Sequence, residues 1–284
     1  LFFWSYNPPR NPYAWINEWS DGLVGEESYL VHDSTYLNDE LGFITDQVLQ
    51  DIERIKVNDY DYYRYLYLGE PVGLGTNIYN MNLFKPLNEL PADDRIIALY
   101  YSLDTGHAVS ATACGCYALT AKGKVIRLNT YYYSPAGRVR KKAPSELSAD
   151  IHEFVTKTST QEYWSGARIM KRTIDSAEAA LRNQYYKDFG LHWIPVAKKK
   201  KVDMIDHVHD LLAQGRFYYL KKPYPTGLPY CDSNDIFIEE HKRYQWDEKT
   251  LKSDNPQVVK ENDHTCDMFI YLCVDNARDF RLKL

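Results

Sequence analysis

The sequence predicts an α/β fold built around a mixed sheet, and three observations carry that expectation. Residues 95–134 hold three apolar, strand-like runs in succession, with only "KG" between the second and third, a tight-turn signal for antiparallel neighbours. After residue 144 helical and strand-like segments alternate, the pattern of an α/β domain. Two of the strands, "RIIALYYSLD" and "ARIMKRTID", end in an acid.

Residues 1–70 differ in texture from the rest of the chain. "LFFWSYNPP" lacks an initiating Met and reads like an interior strand leaving a core, so the sequence is expected to be a piece of a longer chain. "NPPRNPYAWINEW" is rich in Pro and Trp, "SYLVHDSTYLND" reads as a strand plus turn, and residues 45–68 read as one helix. "GEPVGLGT", residues 69–76, is a Gly-rich joint and the expected boundary between a segment 1–75 and a domain 76–284. No Lys-Ser or Lys-Thr follows its glycines, and no Walker A pattern occurs anywhere in these residues.

Beyond the joint, residues 95–104 form a strand ending at Asp104, and the antiparallel runs "HAVSATACGCYALTA" and "KVIRLNTYYYS" come next. "PSELSADIHEFVTKTS", 144–159, is a helix with Pro144 and Ser145 at its start. The strand 167–175 ends at Asp175, and the helix in "SAEAALRNQYYKDFG" is closed by Gly190. "LHWIPVA" is a short strand, 202–215 a helix with Gly215 at its end, and "RFYYL" another strand. The Pro-rich stretch 221–235 reads as a surface loop or hairpin, and "IFIEEHKRYQW" as one further element. In "ENDHTCDMFIYLC" Cys266, Phe269, Ile270 and Cys273 recur at the spacing of a buried helix face. Asn262 or Asp263 can cap that helix, and His264 and Asp267, three apart, share its other face.

Composition excludes some classes and favours others. No apolar run approaches the roughly 20 residues of a membrane-spanning helix, and no signal peptide is visible. The five cysteines (Cys114, Cys116, Cys231, Cys266 and Cys273) are odd in number and lie in apolar patterns, which favours reduced, buried thiols in a cytosolic setting. Cys114-Gly-Cys116 has no second Cys/His pair at a zinc-site spacing. The net charge of −5 hides an asymmetry: residues 18–61 hold twelve acids and two bases, and the rest of the chain is net basic. Residues 121–142 carry seven bases and no acid beside Tyr131, Tyr132 and Tyr133, and Lys198–Lys201 form a second basic run. Such patches suit a polyanion such as nucleic acid, or a plain solvated surface. The 25 tyrosines read as core and sheet surface rather than a stacking platform.

Acids at strand ends collect along one edge of an α/β sheet, where ligands bind. Asp104 and Asp175 fit that description, and Asp267 adds a third carboxylate from a helix. Three carboxylates at close range repel, and Mg²⁺ or Mn²⁺ is the natural remedy. Two such ions about 3.5–4 Å apart serve phosphodiester cleavage. Purely structural roles compete at each position. Asp104-Thr-Gly can be a turn, Asp175-Ser-Ala-Glu a capping box with Glu178, and Asp263 a cap.

The segments "FFWSYNPP", "YLYLGEPVG", "YYSLDTGH", "IDSAEAAL", "WIPVAKKKKVDMIDHVHDLL", "FIEEHKRYQWDE" and "NDHTCDMFIYLCVDN" occur in an order that resembles the large terminase subunits of tailed bacteriophages, of the defective-prophage (PBSX-like) type. The resemblance covers nearly the whole chain. It implies an RNase H-like nuclease domain from about residue 76, a mixed sheet flanked by helices, with an N-terminal extension from the preceding ATPase domain. The implied activity is a metal-dependent endonuclease that cuts concatemeric double-stranded viral DNA during genome packaging, using two Mg²⁺ or Mn²⁺ ions. Carried over by motif, Asp104 in "SLDTG", Asp175 in "IDSAE" and Asp267 in "NDHTCD" match the metal-binding acids. His264 matches an auxiliary His that can ligate a metal, orient a water or meet a charged phosphate. Lys198, Lys199, Lys200 and Lys201 match a Lys-rich loop expected to face DNA, with Arg138, Arg140, Lys141 and Lys142 as a second DNA-facing group. The implied partners are double-stranded DNA, a small terminase subunit and a portal protein, in the host cytoplasm and away from any membrane. Other RNase H-like nucleases of the resolvase or transposase type, and a non-catalytic DNA-docking module, remain as alternatives.

Overall fold

The computed structural model of the chain describes residues 2–10, 14–73, 75, 77–106, 110–231 and 233–283. The backbone divides into two compact units. One comprises Leu1–Ile78, Ala213–Gly215 and Gln245–Val259, and the other Tyr79–Leu212, Arg216–Tyr244 and Lys260–Leu284.

Among the described residues of the first unit, helices form as α1 (Trp15–Asp21), α2 (Asp46–Asn58) and α3 (Tyr60–Leu68). The single helix expected over 45–68 is broken at Asp59. Its backbone is extended (φ −146°, ψ 93°), and its carboxylate accepts the Tyr62 N–H at 3.0 Å to start a new helix. Ile52, Ile55, Tyr62 and Tyr63 bury against one another in a small core. The strand expected in "SYLVHDSTYLND" does not form. The Thr35 hydroxyl oxygen accepts the Leu37 N–H and opens a single 3-10 turn, Tyr36–Asn38. Residues 2–9 form no strand either, and Phe2 and Phe3 are exposed. An extended segment becomes a strand only where a neighbouring backbone completes its hydrogen-bond ladder.

Among its described residues the second unit is organised by a seven-stranded sheet. Its strands are β1 (Lys85–Leu87), β2 (Ile96–Asp104), β3 (Thr112–Thr120), β4 (Val125–Tyr133), β5 (Arg168–Ile174), β6 (Ile194–Pro195) and β7 (Phe217–Leu220). Their spatial order is β1-β7-β4-β3-β2-β5-β6. β2, β3 and β4 are antiparallel, and every outer pairing is parallel, so the sheet is mixed as expected. The β3–β4 turn needs Gly123, whose φ of +81° an L side chain rarely adopts. The helices are α4 (Pro144–Ser159), α5 (Ala179–Phe189), α6 (Lys201–Ala213), α7 (Asp235–Arg243) and α8 (His264–Asp275). α4 packs on β3, β4 and α5, and α8 lies over β2, β3 and β5 beside α7.

The two-residue period of β2 sorts its side chains between these layers. Leu99, Tyr101 and Leu103 join the core that holds Ile151 and Phe154 of α4, and the Tyr101 hydroxyl pairs with Thr158 at 2.8 Å. The alternate residues face α8. The Ser102 hydroxyl donates to the Met268 carbonyl at 2.7 Å, and Asp104 lies beside His264.

Two local departures have simple causes. α5 starts at Ala179, later than "SAEAAL" implies, because Asp175 Oδ1 accepts the Ala177 N–H at 2.9 Å and holds the first residues in a turn. The 221–235 stretch has no strand among its described residues and runs as loop until α7 starts at Asp235. It covers the part of β4 beyond the short β7 pairing: the Tyr132 N–H donates to the Tyr230 carbonyl at 3.1 Å, and the Asn129 amide to the Tyr224 carbonyl at 3.1 Å.

Candidate active site

The strand register brings two acids together before any side chain is considered. β2 and β5 are parallel neighbours with Leu103 opposite Ile174, so Asp104 and Asp175 leave the sheet side by side at its carboxyl edge. The Asp175 N–H donates to the Leu103 carbonyl at 3.3 Å. α8 then lays a polar stripe across that edge. His264 Nδ1 lies 2.9 Å from Asp104 Oδ2. The Tyr271 hydroxyl stands between two carboxylates, 3.1 Å from Asp175 Oδ2 and 3.5 Å from Asp267 Oδ2. Tyr244 donates to Asp267 Oδ1 at 3.1 Å. One turn further along α8, Asp275 accepts from Thr173 at 2.5 Å and Lys171 at 2.9 Å, which fastens the helix to β5. Asp104, Asp175 and the pair His264 and Asp267, from three distant parts of the sequence, thus gather at one place. The solvated polar face that an amphipathic segment suggests is absent, since Thr265 to Cys273 are all buried.

Cations compensate this cluster. Lys201 pairs with Asp267, and Lys198 grips Asp175 at 2.6 Å. Lys260 reaches Asp263 at 3.2 Å and Asp267 at 3.3 Å. The charges show in the acidities. Burial, with the nearby Asp267 and Asp175, pushes the Asp104 carboxyl up to about 6 against the opposing pull of His264. Burial also works against ionisation of Asp267, but Lys201 and Lys260 outweigh it and hold that carboxyl below its ordinary value. Burial opposes protonation of His264, and the hydrogen bond and charge of Asp104 more than reverse this, so its pKa is raised.

The donors fit a hard divalent cation: they are carboxylate oxygens, buried and mutually repelling. They do not stand as a closed cage. Among the described residues no group of three or more His, Cys, Asp and Glu side chains is set to hold an ion. The physical reason is visible in the lysines, whose ammonium groups take up oxygens of Asp175 and Asp267. Exchange of those ammonium groups for a cation is the change such binding requires.

The basic residues divide. Lys198, Lys199 and Lys200 are all exposed, but Lys198 turns to the acids, as does the half-buried Lys201. Arg138 lies over the rings of Tyr133 and Tyr230 at 5.2 and 5.1 Å, Arg140 pairs with Glu146 at 2.9 Å, Lys142 pairs with Asp150, and Lys141 is exposed. All four line one shallow depression with those two tyrosines. Arg127, from the same basic run, is fully buried and belongs to the core. Cys114, Cys116, Cys231, Cys266 and Cys273 are all buried, and none of them is in a disulfide.

Sequence reasoning misses Tyr271, Tyr244, Lys260 and Glu240. Tyr271 carries a usable signal, four residues after Asp267 and seven after His264 on one helix face. The others reach the site from separate elements and leave no local pattern. Asp263, expected as a cap, stands at the N-cap position but makes no side-chain cap bond.

A mixed sheet with antiparallel β2–β3–β4, parallel flanks and helices on both faces places the second unit among RNase H-like α/β domains. Residues 104–275 match the terminase RNase H-like domain family, and residues 2–70 match the phage terminase large subunit family. The chain belongs to the terminase RNase H-like domain family. A 75-residue stretch is 33% identical to the terminase large subunit of Bacillus phage SPP1, covering 26% of this chain and 17% of that protein. Among solved structures, the large terminase of a thermophilic bacteriophage superposes with a TM-score of 0.72 at 20% identity, over 95% of this chain and 61% of that one. A second crystal form of the same terminase gives 0.71 at 22% identity, over 95% and 60%. At such identities the likeness speaks to the fold. The chain spans under two thirds of these relatives' length.

Proposed function

We propose that the second unit is the metal-dependent endonuclease of a phage large terminase, cutting concatemeric double-stranded viral DNA during genome packaging. The observation that carries this reading is the meeting of Asp104, Asp175 and Asp267 at one sheet edge, with Tyr271 between two of them. These three acids would hold Mg²⁺ or Mn²⁺, as two ions. When bound, such ions supply concentrated positive charge to a phosphodiester and lower the pKa of a water.

The chain's own residues prepare that chemistry. Asp104 fixes the orientation of the His264 ring, which keeps a proton at Nδ1. Tyr271 and Tyr244 orient the carboxylate oxygens of Asp175 and Asp267. Lys198, Lys201 and Lys260, once released from the acids, can meet phosphate instead. Lys199, Lys200, Arg138, Arg140, Lys141 and Lys142 would attract the DNA backbone without reading sequence, with affinity that falls steeply in salt. Residues 1–75 would be the end of an ATPase domain, and the working partners a small terminase subunit and a portal protein in the host cytoplasm. No helix among the described residues is long and apolar enough to cross a membrane.

Supercoiled-plasmid nicking tests this reading. Cleavage with Mn²⁺ or Mg²⁺ that EDTA abolishes is expected. Cleavage that survives chelation, or no cleavage with either metal, would overturn it, the latter in favour of a DNA-docking role.

A further inference from the structure

A buried carboxylate outside the acidic cluster holds the helix that carries His264 and Asp267. α8 starts at His264, and its first-turn N–H groups need acceptors, because no intrahelical partner exists for them. Asp263, at the N-cap position, turns its carboxylate to Lys260 instead. Glu240 of α7 fills the gap. Its Oε2 accepts the Thr265 N–H at 2.6 Å and the Thr265 hydroxyl at 2.7 Å, while its Oε1 accepts the Tyr132 hydroxyl of β4 at 2.8 Å. Glu240 is 2% exposed and Thr265 0%. A negative group at this end of a helix also favours the helix dipole.

Thr265 lies between His264 and Asp267 in one helical turn, so whatever fixes it fixes both. Glu240 ties that turn to β4, and the Ser102–Met268 bond ties the next to β2. A slide or rotation of α8 would part His264 from Asp104 and carry Asp267 away from Tyr244 and Tyr271. We propose that Glu240 is a positioning residue: its carboxylate clamps the first turn of α8 so that His264 and Asp267 meet Asp104, and divalent-cation binding at the cluster depends on this clamp. Glu240 acts through Thr265 and touches neither cation nor substrate. The inference deepens the proposed nuclease reading and rests on it for the cation.

The test is calorimetric titration of Mn²⁺ into the whole chain, joined to amide hydrogen exchange at residues 264–267. Glu240→Gln keeps the shape and removes the charge. Phe154→Leu, a core change on α4 at the opposite face of the sheet, serves as a control for general loss of stability. Glu240→Gln is expected to lower Mn²⁺ affinity about 10- to 100-fold, the usual effect of losing a group that orients metal ligands. It should also speed exchange at residues 264–267, while Phe154→Leu changes neither. Wild-type Mn²⁺ affinity in Glu240→Gln, or an equal loss in Phe154→Leu, would overturn the inference. Should the wild-type chain bind no Mn²⁺, the nuclease reading fails by itself. Exchange then decides the clamp: faster exchange in Glu240→Gln alone sustains it, and unchanged exchange refutes it.

Discussion

Arg127 and Asp104 are both charged side chains buried in one sheet, Arg127 near the start of β4 and Asp104 at the carboxyl end of β2. Their surroundings are opposite in kind. The Arg127 guanidinium donates to Thr130 at 2.9 and 2.6 Å and to the Tyr117 hydroxyl, and lies 4.1 Å over the Phe237 ring. Thr130 passes the network to Asn234, whose amide donates to the Leu128 and Leu220 carbonyls at 3.1 and 2.8 Å. Neutral groups satisfy that charge, and it serves to join β4 to β7. Asp104 instead faces Asp267 and Asp175, and its raised pKa records burial together with like charge. Burial alone therefore does not mark a functional site. Crowding of like charges at the sheet's carboxyl edge does.

The largest contrast should come from replacing the acids. Asp104→Asn, Asp175→Asn and Asp267→Asn are each expected to cut metal-dependent plasmid nicking by about 10³-fold or more, a loss of several kcal/mol in transition-state charge stabilisation. Asp104→Asn should leave the melting temperature of the metal-free protein equal or higher, since it removes a carboxyl that burial and its neighbours disfavour in the charged form. Nicking at the wild-type rate would erase the distinction between the two clusters.

Arg127→Met should give the reverse pattern. Urea denaturation is expected to show about 2–3 kcal/mol of lost stability from the missing guanidinium bonds to Thr130 and Tyr117, with Mn²⁺ affinity unchanged. A loss of Mn²⁺ binding without loss of stability would contradict the structural role.

His241 offers a third, neutral case. It is buried on α7 with Nδ1 donating to the Phe237 carbonyl at 2.7 Å, and burial drives its pKa down from 6.5 to about 3. The unfolded chain takes up this proton first as pH falls. The stabilisation is therefore whole above 6.5 and is lost below it, by about 2 kcal/mol at pH 5. Denaturation at pH 7 and pH 5 measures the loss, and His241→Leu should flatten that part of the dependence.

The smallest expected effect concerns the lysines. Lys201→Ala removes an ammonium group that competes for Asp267 and should raise Mn²⁺ affinity about tenfold, the worth of one charge-assisted hydrogen bond. Calorimetry reads it, and weaker binding would show that Lys201 supports the site rather than guarding it.

Much of the site is legible in the sequence because it depends on local patterns. Asp104 and Asp175 end apolar strands, and parallel pairing makes such ends neighbours. His264 and Asp267 share a helix face by spacing alone, and Gly190 closes α5 in the left-handed conformation that a terminal glycine implies. The residues that escape act across elements. Glu240 and Tyr244 reach α8 from elsewhere in the chain, and no window contains both ends of those contacts. Hydropathy also misjudges depth where polar groups satisfy one another. Arg127 sits in a run of bases yet is buried, and Lys201 is half-buried against Asp267. In the first unit, Asp59 stands inside an apolar rhythm that suggests one unbroken helix, though its carboxylate starts a second.

Diffraction from Mn²⁺-soaked crystals, recorded at the manganese absorption edge, tests the central claim most directly. Anomalous density is expected between Asp104, Asp175 and Asp267, with the Lys201 and Lys198 ammonium groups displaced from their carboxylates. Density confined to other parts of the surface, with both lysines still seated on the acids, would contradict it.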